Sequence, residues 1–279
     1  MEATTLDDLT LFFDPQEREA AHLIGQACEK SAQLIHECWG LTAPQDLRVY
    51  VMTSWLRPTF HAAPWHWRIL RGATLPLWGW RARRLWQVAG GWAQQYGRRR
   101  MVGVKPPRLI QLSDRSIGER IFVKTDDEAK IQQIACHELV HAFTAHLRLP
   151  VWLHEGLAMV TVDHFLGRPT VKEETIEVLA RSSGVASPGR YPRFTTQDPH
   201  AIVFLYVRGY WLTRYVEETR PGLLKSLFAR RYRRSELESQ VASAYGMSRE
   251  DFWRKIDGIV AAWGSEQPAL QNQSIQGEK

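Results

Sequence analysis

The stretch "HELVHAFTAHLRLPVWLHEGLA", residues 137–158, carries the residues that decide how this chain is interpreted. His137 and His141 are four residues apart, so on a helix both imidazoles lie on one face and can direct a nitrogen at one metal ion. Glu138 lies beside them and is placed to accept a proton from a water on such an ion. The residues on either side are uncharged from Ile134 to Phe143, which suits a helix buried in a core.

Two histidines leave a catalytic metal site one protein ligand short. The metzincin continuation is absent, because Thr144 stands where its Gly is needed and Leu147 where its third His is needed. The chain offers Glu155 instead, on a second helix that follows a short turn through Pro150. Two such helices can fold back on each other and close the site. His154 is rotated by about 100° from Glu155 on a helix, so it is interpreted as a substrate-side or surface residue.

The segments "HELVHAF" and "PVWLHEGLA" together resemble the gluzincin zinc metallopeptidases, and most closely the bacterial peptidase MA-like family. The similarity extends to "LYVRGYWLTRYVEETRPG", residues 205–222, and to the later "AYGMSREDFWRKI". It covers about Thr125 to Ile256 and the strand at Leu47. This resemblance implies an α+β, zincin-like metallopeptidase domain with a small mixed sheet, an active-site helix and a helical carboxy-terminal half.

The resemblance also implies a cofactor and a set of site residues. The cofactor is Zn²⁺, the ligands are His137, His141 and Glu155, and the general base is Glu138. Tyr206 matches the Tyr of the gluzincin aminopeptidase pattern, which donates a hydrogen bond to the oxyanion.

The chain departs from related patterns at several positions near these residues. Arg208 stands where the aminopeptidase pattern has Lys, and Met159 stands where thermolysin has Asp. Tyr210, one turn after Tyr206, is the alternative oxyanion donor, and both tyrosines also suit the core of a buried helix. Asp163, two turns beyond Glu155, is the candidate to orient a ligand histidine through a hydrogen bond.

The implied activity is zinc-dependent hydrolysis of peptide bonds in a peptide or protein substrate. The Gly-x-Met-x-Asn exopeptidase motif is missing, which favours cleavage within a chain. Two alternatives stay open: a DNA-associated metalloprotease of the SprT-like kind, and a non-catalytic zinc domain that binds a partner or a membrane. The first usually has a His as its third ligand, and the second has no need for Glu138.

The segment from Leu47 to Ser113 has an unusual composition, with no Asp or Glu, 12 Lys or Arg residues and 7 Trp residues. One interpretation is an α-rich elaboration whose Trp side chains pack on the main domain. The other is a basic, aromatic surface for an anionic membrane or for nucleic acid. The Trp residues cluster with Leu and Pro in "LPLWGWRARRLWQVAGGW", as in an amphipathic helix, which favours a membrane surface over nucleic acid.

Periodicity and end signals predict the remaining elements. Helices are expected from Pro15 to about Trp39, from Asp126 to Leu147 with a Thr125–Glu128 capping box, and from Pro150 to just before Gly167. Three strands are expected, at Leu47–Met52 and in the runs that start at Arg108 and Arg120. The predicted organisation is an N-terminal helical segment (1–46), a strand with the Trp/Arg-rich insertion (47–113), a gluzincin catalytic core (114–264) and a disordered tail (265–279).

Composition limits the class and the location of the protein. With 279 residues, 44 % hydrophobic content and a net charge of +6, the chain can bury a substantial core and is not disordered over most of its length. Its three cysteines suggest no disulfide framework. The acidic amino terminus lacks a signal-peptide pattern, and no run of roughly 18 apolar residues occurs. We therefore expect a cytoplasmic protein. The Trp/Arg-rich segment suggests a location at the membrane surface as the alternative.

Overall fold

A five-stranded mixed sheet forms the centre of the amino-terminal half. The structure, a computed structural model, describes residues 1–110, 118–181 and 199–276. The strands occur in the order β1-β2-β3-β5-β4; β2, β3 and β5 run parallel, and β1 and β4 pair antiparallel at the two edges. Their bounds are β1 Glu2–Leu6, β2 Leu9–Phe13, β3 Asp46–Val51, β4 Gly91–Tyr96 and β5 Arg99–Val104. The expectation of an α+β protein with a small mixed sheet is confirmed.

Helices account for most of the rest. They are α1 Arg18–Trp39, α2 Leu56–Ala62, α3 Trp65–Val88, α4 Pro107–Ile110, α5 Gly118–Ile121, α6 Asp127–Thr144, α7 Val151–Leu166, α8 Glu177–Arg181, α9 Pro199–Thr219, α10 Leu223–Phe228, α11 Arg234–Ala244 and α12 Arg249–Gln276, with 3₁₀ turns at Pro15–Glu17 and Glu173–Ile176. No helix in these described stretches has both the length and the apolar character needed to cross a membrane.

One face of the sheet is covered by α1 and α6. Alternate residues of β2 are buried, as expected for a strand with one face towards a core. In α1 the buried residues recur at helical spacing, and the helix ends at Gly40, whose φ of 67° lies in the left-handed region that favours glycine. Residues on this face are among the most buried, and they include Leu9, Leu11, Ile24, Ile35, Val49, Leu139 and Val140.

The other face of the sheet carries a second apolar cluster. Tyr50 of β3, Met52 just after it, Tyr96 of β4 and Met101 of β5 pack there with Ala62 and Ala63. The partly buried rings that pack against this cluster are Phe12, Trp86 and Trp92. Because both faces are covered, β3 is apolar along most of its length, which explains why "LRVYVM" is recognisable as a strand.

Several predicted elements are wrong, and the errors lie in short or strongly charged segments. The run at Arg108 begins in α4, a single helical turn, and its residues 111–113 lie outside the described residues. The run at Arg120 is the end of α5 followed by one bridge residue, Phe122. Strands β1 and β2 precede α1 in a segment expected to be helical. Strands β4 and β5 form a hairpin inside the Trp/Arg-rich insertion, for which one interpretation was an α-rich elaboration. A two-residue turn through Gly97, with φ of 62°, joins this hairpin.

The described residues form two compact units, each with its own interior. The first comprises residues 1–146 and 161–170, and the second comprises 147–160 and 171–279 as far as they are described. Residues 151–160 of α7 belong to the second unit and residues 161–166 to the first, although α7 is one continuous helix. The domain boundaries expected from the sequence remain a prediction.

The second unit contains no β-strand among its described residues, and α7 and α9 cross closely within it. A Cβ atom added to Gly156 would lie 2.0 Å from the carbonyl oxygen of Gly209 and 2.1 Å from Thr213 Oγ1. A Cβ atom added to Gly209 would lie 2.5 Å from the carbonyl oxygen of Trp152. Both positions therefore need glycine, because any side chain would separate the two helices.

Candidate metal centre

Helix α6 begins one residue after Asp126, whose Oδ1 accepts a hydrogen bond of 2.7 Å from the amide of Ala129. Asp126 is therefore the N-cap, rather than Thr125 as the capping-box pattern predicted. The apolar side of α6 packs on α1 and the sheet, and residues such as Ile131, Ala135 and Leu139 are fully buried there. His137, Glu138 and His141 are only half-buried, as expected for residues that could meet a substrate.

The two histidines of α6 face each other. His137 Nε2 and His141 Nε2 are 3.1 Å apart, and the ring centroids are 4.7 Å apart with planes at 87°. This is the arrangement that i and i+4 spacing predicts, with one nitrogen of each ring converging on a common point.

Glu155 lies on α7, one turn after its first residue, and is 2 % exposed. One ligand atom from each of His137, His141 and Glu155 lies within 4.8 Å of the others, so this group could hold a metal ion. His154 is half-buried, and its Nδ1 lies 3.9 Å from Glu155 Oε1. His154 is not one of the three residues in this group, and its interpretation as a substrate-side or surface residue stays a prediction.

Glu138 contacts the first residue of the edge strand β4. A Cβ atom added to Gly91 would lie 2.4 Å from Glu138 Cγ and 2.9 Å from Glu138 Oε1, and one added to Gly90 would lie 2.6 Å from Ile134 Cδ1. Only glycine lets the backbone of this strand pass so close to the carboxylate. Sequence reasoning missed these two residues; the only signal was the glycine pair that ends "RRLWQVAGG".

The two candidate oxyanion donors on α9 have different surroundings. Tyr206 is half-buried, whereas Tyr210 is fully buried and its hydroxyl accepts a hydrogen bond of 3.1 Å from Arg214 Nη1. Arg208 lies between them in sequence and is fully buried against Asp257 of α12, with Nε–Oδ1 and Nη2–Oδ2 distances of 2.9 Å. Arg208 is therefore a structural residue of the helical unit, and Tyr206 is the more accessible of the two tyrosines.

Asp163, near the end of α7, is hydrogen-bonded to the segment that follows this helix. Its Oδ1 accepts hydrogen bonds from the amide of Thr170 at 2.8 Å and from Thr170 Oγ1 at 2.6 Å. The expectation that Asp163 orients a ligand histidine stays a prediction. Cys136, which precedes the first ligand histidine, is fully buried, and burial raises the pKa of its thiol to about 12, so it is an inert core residue.

No family model matches this chain, and no curated protein is similar to it in sequence.

Proposed function

We propose that this protein is a zinc metallopeptidase of the gluzincin type, related to the peptidase MA-like family and built on a zincin-like domain. The observation that carries the proposal is the group formed by His137, His141 and Glu155, whose ligand atoms lie within 4.8 Å of one another. Two imidazoles and one carboxylate are the protein ligands of a catalytic zinc site, which keeps its fourth position for water or substrate.

The types of donor atom suit zinc, and so does the separation of the two imidazole nitrogens. With bonds of ~2.0–2.1 Å, two ligand atoms of a tetrahedral zinc site are about 3.3 Å apart. The two histidine Nε2 atoms are 3.1 Å apart, close to this value. Glu155 is 2 % exposed, and a buried carboxylate is expensive unless a cation or hydrogen-bond donors compensate its charge.

Glu138 supports a catalytic rather than a structural site. A structural zinc site uses four protein ligands and needs no neighbouring base, whereas here a half-buried carboxylate follows the first ligand directly. When bound, zinc would lower the pKa of a water and polarise the substrate carbonyl. Glu138 would accept the proton of that water and pass it to the amine that leaves, and Tyr206 would donate a hydrogen bond to the oxyanion.

The position of β4 supports a peptide as substrate. This strand is at the edge of the sheet, so one of its sides has no strand partner within the described residues. It begins at Gly91, in contact with Glu138. An extended peptide can add to such an edge through main-chain hydrogen bonds, which would carry its backbone past the proposed base.

Two other features bear on the setting of the proposed enzyme. All three cysteines lie in the described part of the chain and none forms a disulfide, which fits the proposed cytoplasmic location. A buried Glu as third ligand also favours the gluzincin type over a DNA-associated SprT-like protease.

The first test is the substitution Glu138→Gln. The amide cannot accept a proton from water, so we expect hydrolysis of a peptide library to fall by roughly 10²–10⁴ with the zinc content unchanged. Elemental analysis of the purified protein should find about one zinc per chain. Activity equal to wild type in this variant would contradict the peptidase proposal, and an unaltered chain that holds zinc but hydrolyses no peptide would favour the non-catalytic alternative.

A pair of adjacent substitutions tests the ligand set. Glu155→Ala should remove most of the zinc, whereas His154→Ala, next to it on the same helix, should retain it. Loss of zinc in the His154 variant alone would show that Glu155 is not the third ligand.

A further inference from the structure

The outward side of α3 exposes large apolar side chains that no part of the described chain covers. Only Ala82 is buried in this 24-residue helix. Trp65 and Leu77 are each 74 % exposed, and Ile69 is 65 % exposed. Together with Leu70 and Trp80 they form what we call the outer face of α3. Largely exposed Trp, Leu and Ile side chains at helical spacing mark a surface that meets an apolar partner.

The inner side of the same helix is held by the sheet. Arg71 Nη1 donates a hydrogen bond of 3.3 Å to Gln94 Oε1, and its guanidinium lies 4.8 Å from the centroid of the Tyr96 ring. Near the other end, the Lys105 ammonium lies 4.4 Å from the centroid of the Trp86 ring. The outer face is therefore presented by an anchored helix.

The charge around the outer face selects the partner. Arg81 and Arg84 lie over the ring of Trp80, with guanidinium carbons 5.2 and 5.0 Å from its centroid, and Arg68 and Arg83 are also exposed. The segment from Leu47 to Ser113 contains no acidic residue. Two copies of α3 in contact would therefore bring like charges together, whereas a surface of anionic lipid complements them. Trp and Arg flanking aliphatic side chains suit the headgroup region of a bilayer.

We propose that α3 is a peripheral membrane-binding helix, which lies on anionic lipid with its outer face inserted at the headgroup level. This role does not depend on the proposed peptidase activity. The affinity of α3 for a membrane has two separable contributions: insertion of the apolar outer face, and attraction of the arginines to anionic lipid.

The test is co-sedimentation with vesicles of phosphatidylcholine alone and with 30 % phosphatidylglycerol, at about 0.05 and 0.5 M salt. We expect binding to the anionic vesicles only, weakened at high salt. Ile69→Ser with Leu77→Ser should weaken binding by roughly tenfold or more, because two inserted aliphatic side chains are lost. Replacing Arg81, Arg83 and Arg84 by Ala should weaken it by about fivefold per charge at low salt.

The matched control is Val123→Ser, an exposed apolar residue outside α3, which should bind as the wild type does. Three results would overturn the proposal: no binding to either vesicle, vesicle binding unaffected by the outer-face substitutions, or a dimer in sedimentation velocity that dissociates on Leu77→Ser. Displacement from vesicles by single-stranded DNA at equimolar charge would assign the surface to nucleic acid instead.

A separate feature, in the second unit, is a cavity of about 820 Å³ lined by five arginines. They are Arg148, Arg231, Arg233, Arg234 and Arg249, and Tyr232 lies among them. The volume of the cavity is in the range found for sites that bind small molecules.

The two carboxylates of the cavity lining are already engaged within the protein. Glu238 is buried and accepts a hydrogen bond of 2.8 Å from Arg249 Nε, and Glu236 Oε2 accepts one of 2.8 Å from the amide of Arg233. This second bond also caps the amino-terminal end of α11. Five guanidinium groups against two engaged carboxylates leave the cavity strongly positive.

The backbone adds to the positive electrostatic potential of the cavity. Pro150 and Val151 line the cavity where α7 begins, and the first amides of a helix carry its positive dipole end. Arg148 has a φ of 53°, a conformation that is costly for a residue with a side chain, and its carbonyl accepts a hydrogen bond of 3.3 Å from Arg234 Nε. The chain thus tolerates local strain at one of the five arginines.

We propose that this cavity binds a small molecule with two or more linked phosphate groups. Several planar guanidinium groups can each grip phosphate oxygens in pairs, and linked phosphates match their charge better than a single carboxylate does.

The test is calorimetric titration with sodium tripolyphosphate and, separately, with orthophosphate. We expect tripolyphosphate to bind at least tenfold more tightly. Arg231→Ala and Arg148→Ala should each weaken its binding by roughly tenfold, the loss expected for a charge-assisted hydrogen-bonded contact. The neighbouring Arg230→Ala removes the same charge from an exposed residue outside the lining and should change the affinity by less than about twofold.

Equal losses for Arg230→Ala and Arg231→Ala would show diffuse attraction and overturn the proposal, as would the absence of binding. Tighter binding of hexaglutamate than of tripolyphosphate would assign the cavity to acidic peptides. Any withdrawal of metal by tripolyphosphate affects the two variants alike, so their comparison remains valid.

Discussion

At the scale of single residues, the ion pair between Arg208 and Asp257 places two opposite charges inside the helical unit. Both side chains are about 1 % exposed, and Arg208 also lies against the ring of Trp253, 4.9 Å from its centroid. Burial raises the pKa of Asp257, and the neighbouring guanidinium lowers it in part. Such a pair stabilises only as long as both partners are present.

We therefore expect Asp257→Ala to lower the free energy of unfolding by about 3–5 kcal/mol, because it leaves a buried guanidinium without its carboxylate. The double variant Arg208→Met with Asp257→Leu should lose less than either single variant, since it removes both charges. Urea denaturation monitored by Trp fluorescence measures these values. Losses that simply add in the double variant would show that the two residues act independently.

Lys105 makes the stability of the first unit depend on pH. The side chain is 2 % exposed, and burial lowers the pKa of its ammonium from 10.5 to about 8. Between these two values the unfolded chain binds more protons at this site than the folded chain does. The free energy of unfolding should therefore rise with pH in this window.

We expect Lys105→Met to remove this contribution, which cannot exceed about 1.4 kcal/mol per pH unit. The free energy of unfolding of the wild type and of Lys105→Met is measured at several pH values from about 8 to 10. The contributions of other titrating groups cancel in the difference between the two proteins. A difference that stays constant over this range, or that changes with the opposite sign, would contradict the assignment to Lys105.

At the scale of secondary-structure elements, the crossing of α7 and α9 connects the two glycine-containing motifs. Gly156 follows Glu155 in "WLHEGLA", and Gly209 lies in "LYVRGYW". A side chain at either glycine would clash with the backbone of the other helix. The crossing therefore holds in place the turn of α7 that carries Glu155, the proposed ligand.

Gly156→Ala should therefore lower the free energy of unfolding by about 1–3 kcal/mol or more and also reduce the zinc content, because the helices must separate next to Glu155. The matched control is Gly258→Ala in α12, where an added Cβ atom meets nothing within 4 Å. This control should gain up to about 1 kcal/mol, since alanine favours the helix. Thermal unfolding and metal analysis measure both effects. A neutral Gly156→Ala would contradict the close crossing.

The elements differ in how far the sequence predicts them. The helices predicted from long periodic segments, α1, α6 and α7, have bounds close to those observed, and the apolar run predicted at Leu47 is β3. The hairpin of β4 and β5 was missed because Gln94, Gln95, Arg99 and Arg100 interrupt its apolar pattern. The pairing of β5 with β3 is also distant in sequence. The runs at Arg108 and Arg120 were mistaken for strands because a few β-branched residues also fit a single helical turn.

The candidate site divides in the same way. His137, Glu138 and His141 follow from spacing within one helix, which is local information, whereas Glu155 was assigned through the resemblance of a second segment to the gluzincin pattern. The contact of Gly91 with Glu138 depends on the register of the sheet, and the arginine cavity depends on tertiary packing of segments about 80 residues apart in sequence, as the separation of Arg234 and Arg148 by 86 residues shows. Neither could be predicted from a local pattern.

At the scale of the whole molecule, metal binding is expected to raise the stability of the fold. A ligand that binds only the folded state adds free energy by mass action, about 2.7 kcal/mol at a hundredfold excess over its dissociation constant. For a chain of this size each kcal/mol corresponds to ~2–4 °C in the unfolding temperature.

Removal of zinc with a chelator should therefore lower the unfolding temperature by roughly 5–10 °C, and added zinc should restore it. The Glu155→Ala chain should show no such shift, whereas His154→Ala should behave as the wild type. Scanning calorimetry with and without chelator gives the comparison. An unfolding temperature that is the same with and without zinc in the wild-type chain would contradict a metal site formed by the folded protein.

The parallel pairing of β3 with β5 has a consequence for the assembly of the chain on the ribosome. Asp46 accepts a hydrogen bond from Arg99, 53 residues later, at the start of this ladder, so the whole of α2 and α3 must be synthesised before the central strands can join. Until then β3 exposes an apolar edge, and closing so long a loop is slow. Helix α6, with both histidines, emerges only afterwards and finds a completed sheet to pack on. The nascent chain is therefore expected to be most vulnerable to misfolding while α3 is being made.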